Sequence, residues 1–339
     1  MSQSWTRYSR QMLFKPVGEQ GQRKLDESKV FIVGMGALGT VIANHLVRSG
    51  VGHVVFCDRD FVEESNLQRQ MLFNEQDVQQ FLPKAVAAEQ ALKKLNSSVN
   101  IKGHVTDVNA NNVESFIDGV DVIMDGTDNF ETRYLLNDVA YKHGIPFVYG
   151  GAVSSRGMNA VFLPGKTPCL RCMFPTYGGA GQTCDTIGVL SPIVDIIASM
   201  QVMEVLKILT GNSEKLRNNL ASIDLWENHS FEMKLEEINE ECPTCQLKQY
   251  PALSQGENER VTTLCGRDTV QFMTANKLNL VSWERKLEKV ASVKKSPYLL
   301  RAVLEEGETF VLFPEGRVLV QGTENISRAK TLYAKYIGM

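Results

Sequence analysis

The run Val30-Phe-Ile-Val33-Gly34-Met-Gly36-Ala37-Leu-Gly39, together with Val54-Val55-Phe56-Cys57-Asp58, decides the fold. Val30 to Val33 is an apolar stretch suited to a buried strand, and Gly34, Gly36 and Gly39 follow it at G-x-G-x-x-G spacing. A helix fits Thr40 to Ser49, where Val41, Ile42, Leu46 and Val47 can face a sheet. Val54 to Cys57 supplies a second strand, with Asp58 at its carboxyl end. Strand, glycine turn, helix, strand and acid in this order describe a nucleotide cradle. Gly34 allows the tight turn, Gly36 lets the backbone approach a phosphate, and Gly39 lets the helix pack close, so that phosphates meet the positive end of the helix dipole. Ala37 lies within the turn and counts among its nucleotide-contacting positions. Asp58 is placed to accept hydrogen bonds from a ribose.

Working outward, Asp60 follows, then Ser65-Asn66-Leu-Gln-Arg69-Gln70, then Pro83-Lys84. Asn66, Arg69 and Lys84 add one amide and two cations close to the turn. Hydride transfer needs an open face for nicotinamide, whereas a triphosphate developing charge at phosphorus needs cationic donors, and the placement favours phosphate chemistry. A helical pattern runs from Ala85 to Leu95, Val99 to Val105 alternates like a strand, and Val120 to Met124 is the next buried strand. It ends in Asp125-Gly-Thr-Asp128-Asn129. Asp128 is the candidate magnesium ligand, because magnesium is commonly held by one or two carboxylates plus substrate phosphates. The alternative is that Asp128 or Asn129 caps the helix starting near Phe130.

A helix over 131–144, a strand over Pro146 to Tyr149 and alternation from Ser154 to Leu163 complete the pattern. The fold class is α/β, a Rossmann-like mostly parallel sheet with an antiparallel extension, plus a small C-terminal α+β unit. The expected division is a lead-in over 1–29, a nucleotide-binding domain over 30–247, a polar linker over 248–260 and the small unit over 261–339. Pro192 to Thr210 reads as a helix apolar on most faces, either deeply buried or shared with a second copy. A homodimer interface is the favoured reading.

Cys169-Leu-Arg-Cys172 and Cys242-Pro-Thr-Cys245 are two CxxC pairs. Four thiolates so arranged match a tetrahedral zinc site with no position open for water, hence a structural one. A redox dithiol would explain one pair and not both. Cys184, in neither pair, follows a glycine-rich stretch and is either a loop nucleophile or passive. Cys265 is read as buried.

The 339 residues carry a net charge of -3, and no basic stripe suggests nucleic acid. No apolar run reaches the ~20 residues needed to span a bilayer, and the polar N-terminus has no signal-peptide core. A cytoplasmic protein with reduced thiols is expected. Five histidines are scattered without a cluster.

Arg7-Tyr-Ser-Arg10-Gln, the Gly34 turn, Asp58-Arg-Asp60, Ser65 to Gln70, Pro83-Lys84, Gly126-Thr-Asp128-Asn129, both CxxC pairs and Thr183-Cys184-Asp185 together resemble the MoeB/ThiF family, bacterial relatives of ubiquitin-activating enzymes. The resemblance covers roughly residues 5 to 247. It implies an adenylyltransferase that uses ATP and magnesium to convert the C-terminal Gly-Gly carboxylate of a ubiquitin-fold sulfur carrier into an acyl-adenylate, ahead of thiocarboxylate formation. By the same resemblance Asp58 holds the ribose, Asn66, Arg69 and Lys84 the phosphates, and Asp128 the magnesium. Arg10 reaches the phosphates from the other subunit of a homodimer, and Cys184 attacks the adenylate or receives sulfur. Residues 261–339 lack the cysteine loop of a rhodanese domain, which points to a separate cysteine desulfurase as sulfur donor. The carrier is of MoaD or ThiS type, with MoaD favoured. A nicotinamide oxidoreductase, a tRNA-modifying adenylating dehydratase and a non-catalytic activating-enzyme-like partner are the competing readings.

Overall fold

The computed structural model describes residues 5–175, 187–254, 261–264 (backbone only), 268–274 and 276–338. The chain forms two compact units, Met1–Val78 with Pro83–Gly256, and Gln79–Leu82 with Glu257–Met339. Cys184 and Cys265 lie outside the described residues.

The first unit is built on an eight-stranded sheet. Its strands are β1 (Lys29–Val33), β2 (His53–Asp58), β3 (Asn100–Val105), β4 (Val122–Asp125), β5 (Phe147–Val153), β6 (Arg156–Phe162), β7 (Asn219–Asp224) and β8 (His229–Lys234), in the spatial order β3-β2-β1-β4-β5-β6-β7-β8. The first five are parallel, and β6, β7 and β8 extend the sheet antiparallel. The apolar runs explain the centre: every residue of β4 and all but the first of β1 are buried, as parallel strands covered on both faces require. Val33 is in register with both Cys57 and Asp125, so the ends of β1, β2 and β4 lie side by side. The order of strands reverses at β1, with β2 on one side and β4 on the other. In open α/β sheets such a switch point, at the carboxyl edge, is where ligands bind.

The principal helices of this unit are α1 (Gly18–Glu27), α2 (Ala37–Ser49), α3 (Lys84–Leu95), α4 (Phe130–His143) and α5 (Ser191–Thr210). Helix α5 has a buried side and an exposed one. Ile193, Val194, Ile197, Ala198, Val202, Val205 and Leu209 are buried, while Ile196 and Met203 are exposed. The buried side lies close on the sheet. A Cβ at Gly157 would sit 2.2 Å from Ile197 Cγ1, and one at Gly150 would sit 2.3 Å from Gln201 Cδ.

The second unit is a six-stranded antiparallel sheet formed by β9 (Val261–Leu264), β10 (Thr269–Met273), β11 (Ala291–Lys295), β12 (Leu300–Leu304), β13 (Thr309–Leu312) and β14 (Arg317–Gln321), with α6 (Leu280–Leu287) and α7 (Ile326–Tyr336). Val270, Phe272, Leu300, Phe310, Val318 and Leu332 share its core, and Phe272 stacks on Tyr333 at 4.4 Å between ring centroids. Among the described residues no helix is long and apolar enough to cross a membrane.

Candidate active site and cysteine cluster

The glycine turn separates what packing demands from what it does not. Gly34 has φ +90°, which favours glycine, and a Cβ there would lie 2.6 Å from the carbonyl oxygen of Gly126. At Gly39 an added Cβ would lie 1.9 Å from the Gly34 carbonyl oxygen, and at Gly126 2.5 Å from that same oxygen. The turn after β1, the start of α2 and the turn after β4 are therefore in backbone contact, and three glycines are fixed by it. Gly36 differs. Its φ is -83°, and the nearest atom to an added Cβ is Gln70 Nε2 at 3.9 Å. No neighbour in the fold excludes a side chain at 36, which leaves the backbone there open to the approach of a ligand. Gly36 is also the N-cap of α2, and no side chain caps that end, which leaves first-turn amides to meet an anion.

Around this turn stand the acids and cations singled out in the sequence. Asp58 Oδ2 accepts from the Met35 amide at 2.6 Å and Oδ1 from the Asp60 amide at 2.7 Å. Burial pushes the Asp58 carboxyl above its ordinary range, with Asp60 adding to the effect, and Lys84 and the two amide bonds work against it. Lys84 is buried, and its Nζ lies 3.6 Å from Asp60 Oδ2. Asp60 thus orients Asp58 through its amide and holds Lys84 through its carboxylate. The buried Asn66 ends a short 3-10 turn, Glu64–Asn66, where Oδ1 accepts from the Glu63 amide at 3.1 Å. Its carbonyl accepts the amides of Arg69 and Gln70, which fixes the backbone carrying both side chains. Arg69 is half-buried and donates from Nη1 to the Ser65 carbonyl at 2.8 Å.

At the end of β4 the two capping candidates separate. Asn129 is the cap of α4, its Oδ1 accepting the Thr132 amide at 2.9 Å, and Asp128 is exposed. Asp125 serves a structural purpose that the sequence did not reveal. Fully buried, it accepts from Arg133 Nε at 2.9 Å and from both the amide and the hydroxyl of Thr127. Arg133 also donates to the carbonyls of Thr127 and Gly150 and lies over the rings of Phe130 and Tyr149. The i to i+8 spacing of an acid on a strand and an arginine on the next helix was the only signal available.

Arg10 is not brought to this pocket. It lies in a short turn, Ser9–Met12, and the adjacent Gln11 donates to the carbonyl of Ser49 at 3.0 Å, at the carboxyl end of α2. The glycine turn is at the other end of that helix, a distance of about 18 Å for its thirteen residues.

The four cysteines do come together. Cys169, Cys172, Cys242 and Cys245 place their sulfurs within 4.8 Å of one another. The Cys169–Cys242 and Cys172–Cys245 separations are both 3.5 Å, and Cys169–Cys172 is 3.9 Å. These are free thiols, not disulfides. Four sulfurs around a zinc ion at ~2.3 Å would have edges of roughly 3.8 Å, so the donor set and its spacing fit a metal. The thiols resist carrying charge together. Hydrogen bonding with Cys169 draws Cys172 down to about 4, whereas burial pushes Cys245 up to about 12. A bound cation would resolve that conflict. Behind the cluster, the buried Asn137, Asp138 and Tyr141 of α4 hold its two halves. Asn137 Oδ1 accepts the Leu170 amide at 2.9 Å, Asp138 accepts from Thr244 Oγ1 and Arg171 Nη2, and Tyr141 donates to the carbonyls of Thr167 and Pro168.

A family model described as "ThiF family" matches residues 8–244. A sulfur carrier protein ThiS adenylyltransferase of Bacillus subtilis is 45% identical over 341 residues, covering 98% of this chain and 99% of the relative. A sulfur carrier protein adenylyltransferase of Thermus thermophilus is 37% identical over 246 residues, covering 70% of this chain and 90% of the relative. Among solved structures, E. coli MccB with MccA-N7isoASN superposes with a TM-score of 0.62 at 24% identity, over 71% of this chain and 74% of that one, a likeness of fold. The protein is an adenylyltransferase with a Rossmann-like core. It belongs to the ThiF family.

The glycine contacts give a paired expectation. Gly39→Ala should lower stability by at least about 2 kcal/mol because backbone must move, whereas Gly36→Ala should change it by less than about 1 kcal/mol while weakening nucleotide binding. Thermal unfolding with and without ATP separates the two. Equal loss of stability in both variants would overturn the assignment of Gly36 to a ligand.

Proposed function

We propose that the chain transfers AMP from ATP to the C-terminal carboxylate of a small ubiquitin-fold sulfur carrier ending in Gly-Gly. The reading rests on one observation above others: a buried lysine, Lys84, held by Asp60 beside a glycine turn whose second glycine no packing contact explains. The carrier's carboxylate oxygen attacks the α-phosphorus, the bond to the β-phosphate oxygen breaks, and pyrophosphate leaves with the electron pair. A carboxylate is already ionised at neutral pH, so no general base is required. Charge builds on phosphoryl oxygens, where preorganised cations and amides act most strongly. Lys84, Arg69 and Asn66 take that role, Asp58 holds the ribose, and Asp128 is the magnesium ligand. The persulfide of a separate cysteine desulfurase then attacks the acyl carbon, AMP leaves, and a thiol reduces the S–S bond of the resulting acyl disulfide to free the thiocarboxylate. Cys184 is the candidate acceptor of the acyl group or of sulfur. The cytoplasm, where thiols stay reduced, suits this chemistry.

The carrier is of ThiS type in this reading, where the sequence alone leaned to MoaD. What supports it is that the Bacillus subtilis relative named for ThiS aligns along the whole chain, second unit included. ATP–pyrophosphate exchange, with magnesium and each purified carrier in turn, is the test. Exchange with a ThiS-type carrier alone is expected; exchange with a MoaD-type carrier alone would reverse the assignment, and none with either would remove the carrier reading.

The metal of the cysteine cluster is zinc in a closed, structural role. Removing it with a chelator should lower the unfolding temperature of the chain, and readdition of zinc should restore it. Loss of adenylate formation at an unchanged unfolding temperature would argue for a catalytic metal instead.

The protein works as a homodimer in which Arg10 of one copy serves the other copy's site. Arg10 is far from its own turn, and it adjoins exposed Leu13 and Phe14. Exposed Met203 and Ile196 on α5 and Met71 offer further apolar surface to a second copy. Arg10→Ala and Lys84→Ala chains, each inactive alone, should regain about a quarter of the unmodified activity when mixed and allowed to exchange subunits, since heterodimers carry one intact site. Absence of any recovery in a demonstrated heterodimer would place Arg10 outside the site.

A further inference from the structure

Gln70 is a buried amide that the fold leaves unused. Its side chain is 3% exposed, yet Oε1 is buried without a hydrogen-bond partner, and Nε2 makes no hydrogen bond among the described residues. Buried polar groups are overwhelmingly paired, and an orphan in a native structure marks strain, function or an ordered water. The position of this one is specific. Nε2 is the closest atom to the point where a Cβ would stand on Gly36, at 3.9 Å. Its backbone is equally fixed, because the Gln70 amide donates to the Asn66 carbonyl at 2.9 Å and its own carbonyl accepts the Phe73 amide at 3.1 Å. The carboxamide is therefore held over the N-terminus of α2, beside the glycine that packing does not require.

Resting on the nucleotide reading above, we propose that Gln70 is a phosphate-binding residue, its amide N–H donating to the phosphate oxygen seated against Gly36. A carboxamide brings two donors, and phosphate oxygens at neutral pH accept only. A neutral donor at that point differs from the neighbouring Arg69 and Lys84. It fixes the position of one oxygen over a short distance without adding charge, while the cations supply the field. Oε1 accepts, as phosphate oxygens do, so it stays unpaired with nucleotide bound; Nε2, next to Gly36, is the donor that the phosphate would engage.

Gln70→Met keeps the side chain's length and removes its polar atoms. In the full chain, calorimetric titration should find ATP bound about 10- to 100-fold more weakly, the range expected for losing a hydrogen bond to a charged group. Adenosine, which has no phosphate, should change less than about twofold on the same ground. The unliganded variant should unfold at an equal or higher temperature, by about 2–4 °C, because an unpaired buried group has been removed. Gln70→Glu, which has no N–H at neutral pH and repels phosphate, should bind ATP at least as weakly as the Met variant and gives an independent reading if that variant folds poorly. Unchanged ATP affinity, or equal weakening of ATP and adenosine, would make Gln70 a packing group and overturn the proposal. Failure of the unmodified chain to bind ATP would overturn the nucleotide reading itself, a result separable from either of these.

Discussion

The contact between the Gly34 and Gly126 backbones is the constraint on which the site depends. It joins the turn after β1 to the turn after β4 at a separation that leaves no room for a Cβ, and Gly39 admits α2 to the same junction. Because Val33 pairs with both Cys57 and Asp125, every residue leaving these strands begins from one edge. Asp58, Asp60 and Asp128 stand at or just beyond the ends of these strands for this reason.

Acids crowded onto one edge would repel one another and any phosphate. The fold gives each a distinct task. Asp125 is neutralised by Arg133 in the interior and fastens β4 to α4, with carbonyls of Thr127 and Gly150 completing the guanidinium's bonds. A buried pair of this kind is costly to break from one side, and it keeps negative charge away from the ligand face. Asp60 is matched to Lys84, and Asp58 is held by two amides. Asp128 is exposed on the turn that follows β4.

The cysteine cluster solves a different problem. Cys242 and Cys245 lie after β8, a strand with every residue exposed, at the end of a segment with little core of its own. Bringing them to Cys169 and Cys172 ties that segment to α4, where Asp138 bonds to both halves. A metal ion held by the four thiolates would restrain that segment where apolar burial is small. It is separate in purpose from the nucleotide edge, although α4 starts at one and supports the other.

The sequence by itself determined the architecture of the first unit and most positions around the glycine turn. Periodicity, glycine spacing and carboxyl-end acids are local signals, and strands β1, β2, β4 and helices α2, α3 and α4 followed them to within a few residues. The two CxxC pairs were legible for the same reason. Strands β7 and β8 and, in the second unit, β9, β10 and β11 were not. β8 is exposed throughout, β11 turns only the half-buried Ala291 and Val293 toward its core, and the others are short runs of four to six residues with polar residues among the apolar ones. Only the tertiary structure decided which polar residues face inward. Asp125 and Arg133 are eight residues apart, Gln70 and Gly36 thirty-four, Asp138 and Thr244 more than a hundred, and their meeting depends on how the sheet edge and α4 pack. Local sequence specifies a residue's chemistry and its element, but partners across the fold are set by the packing of whole elements, which no single stretch encodes.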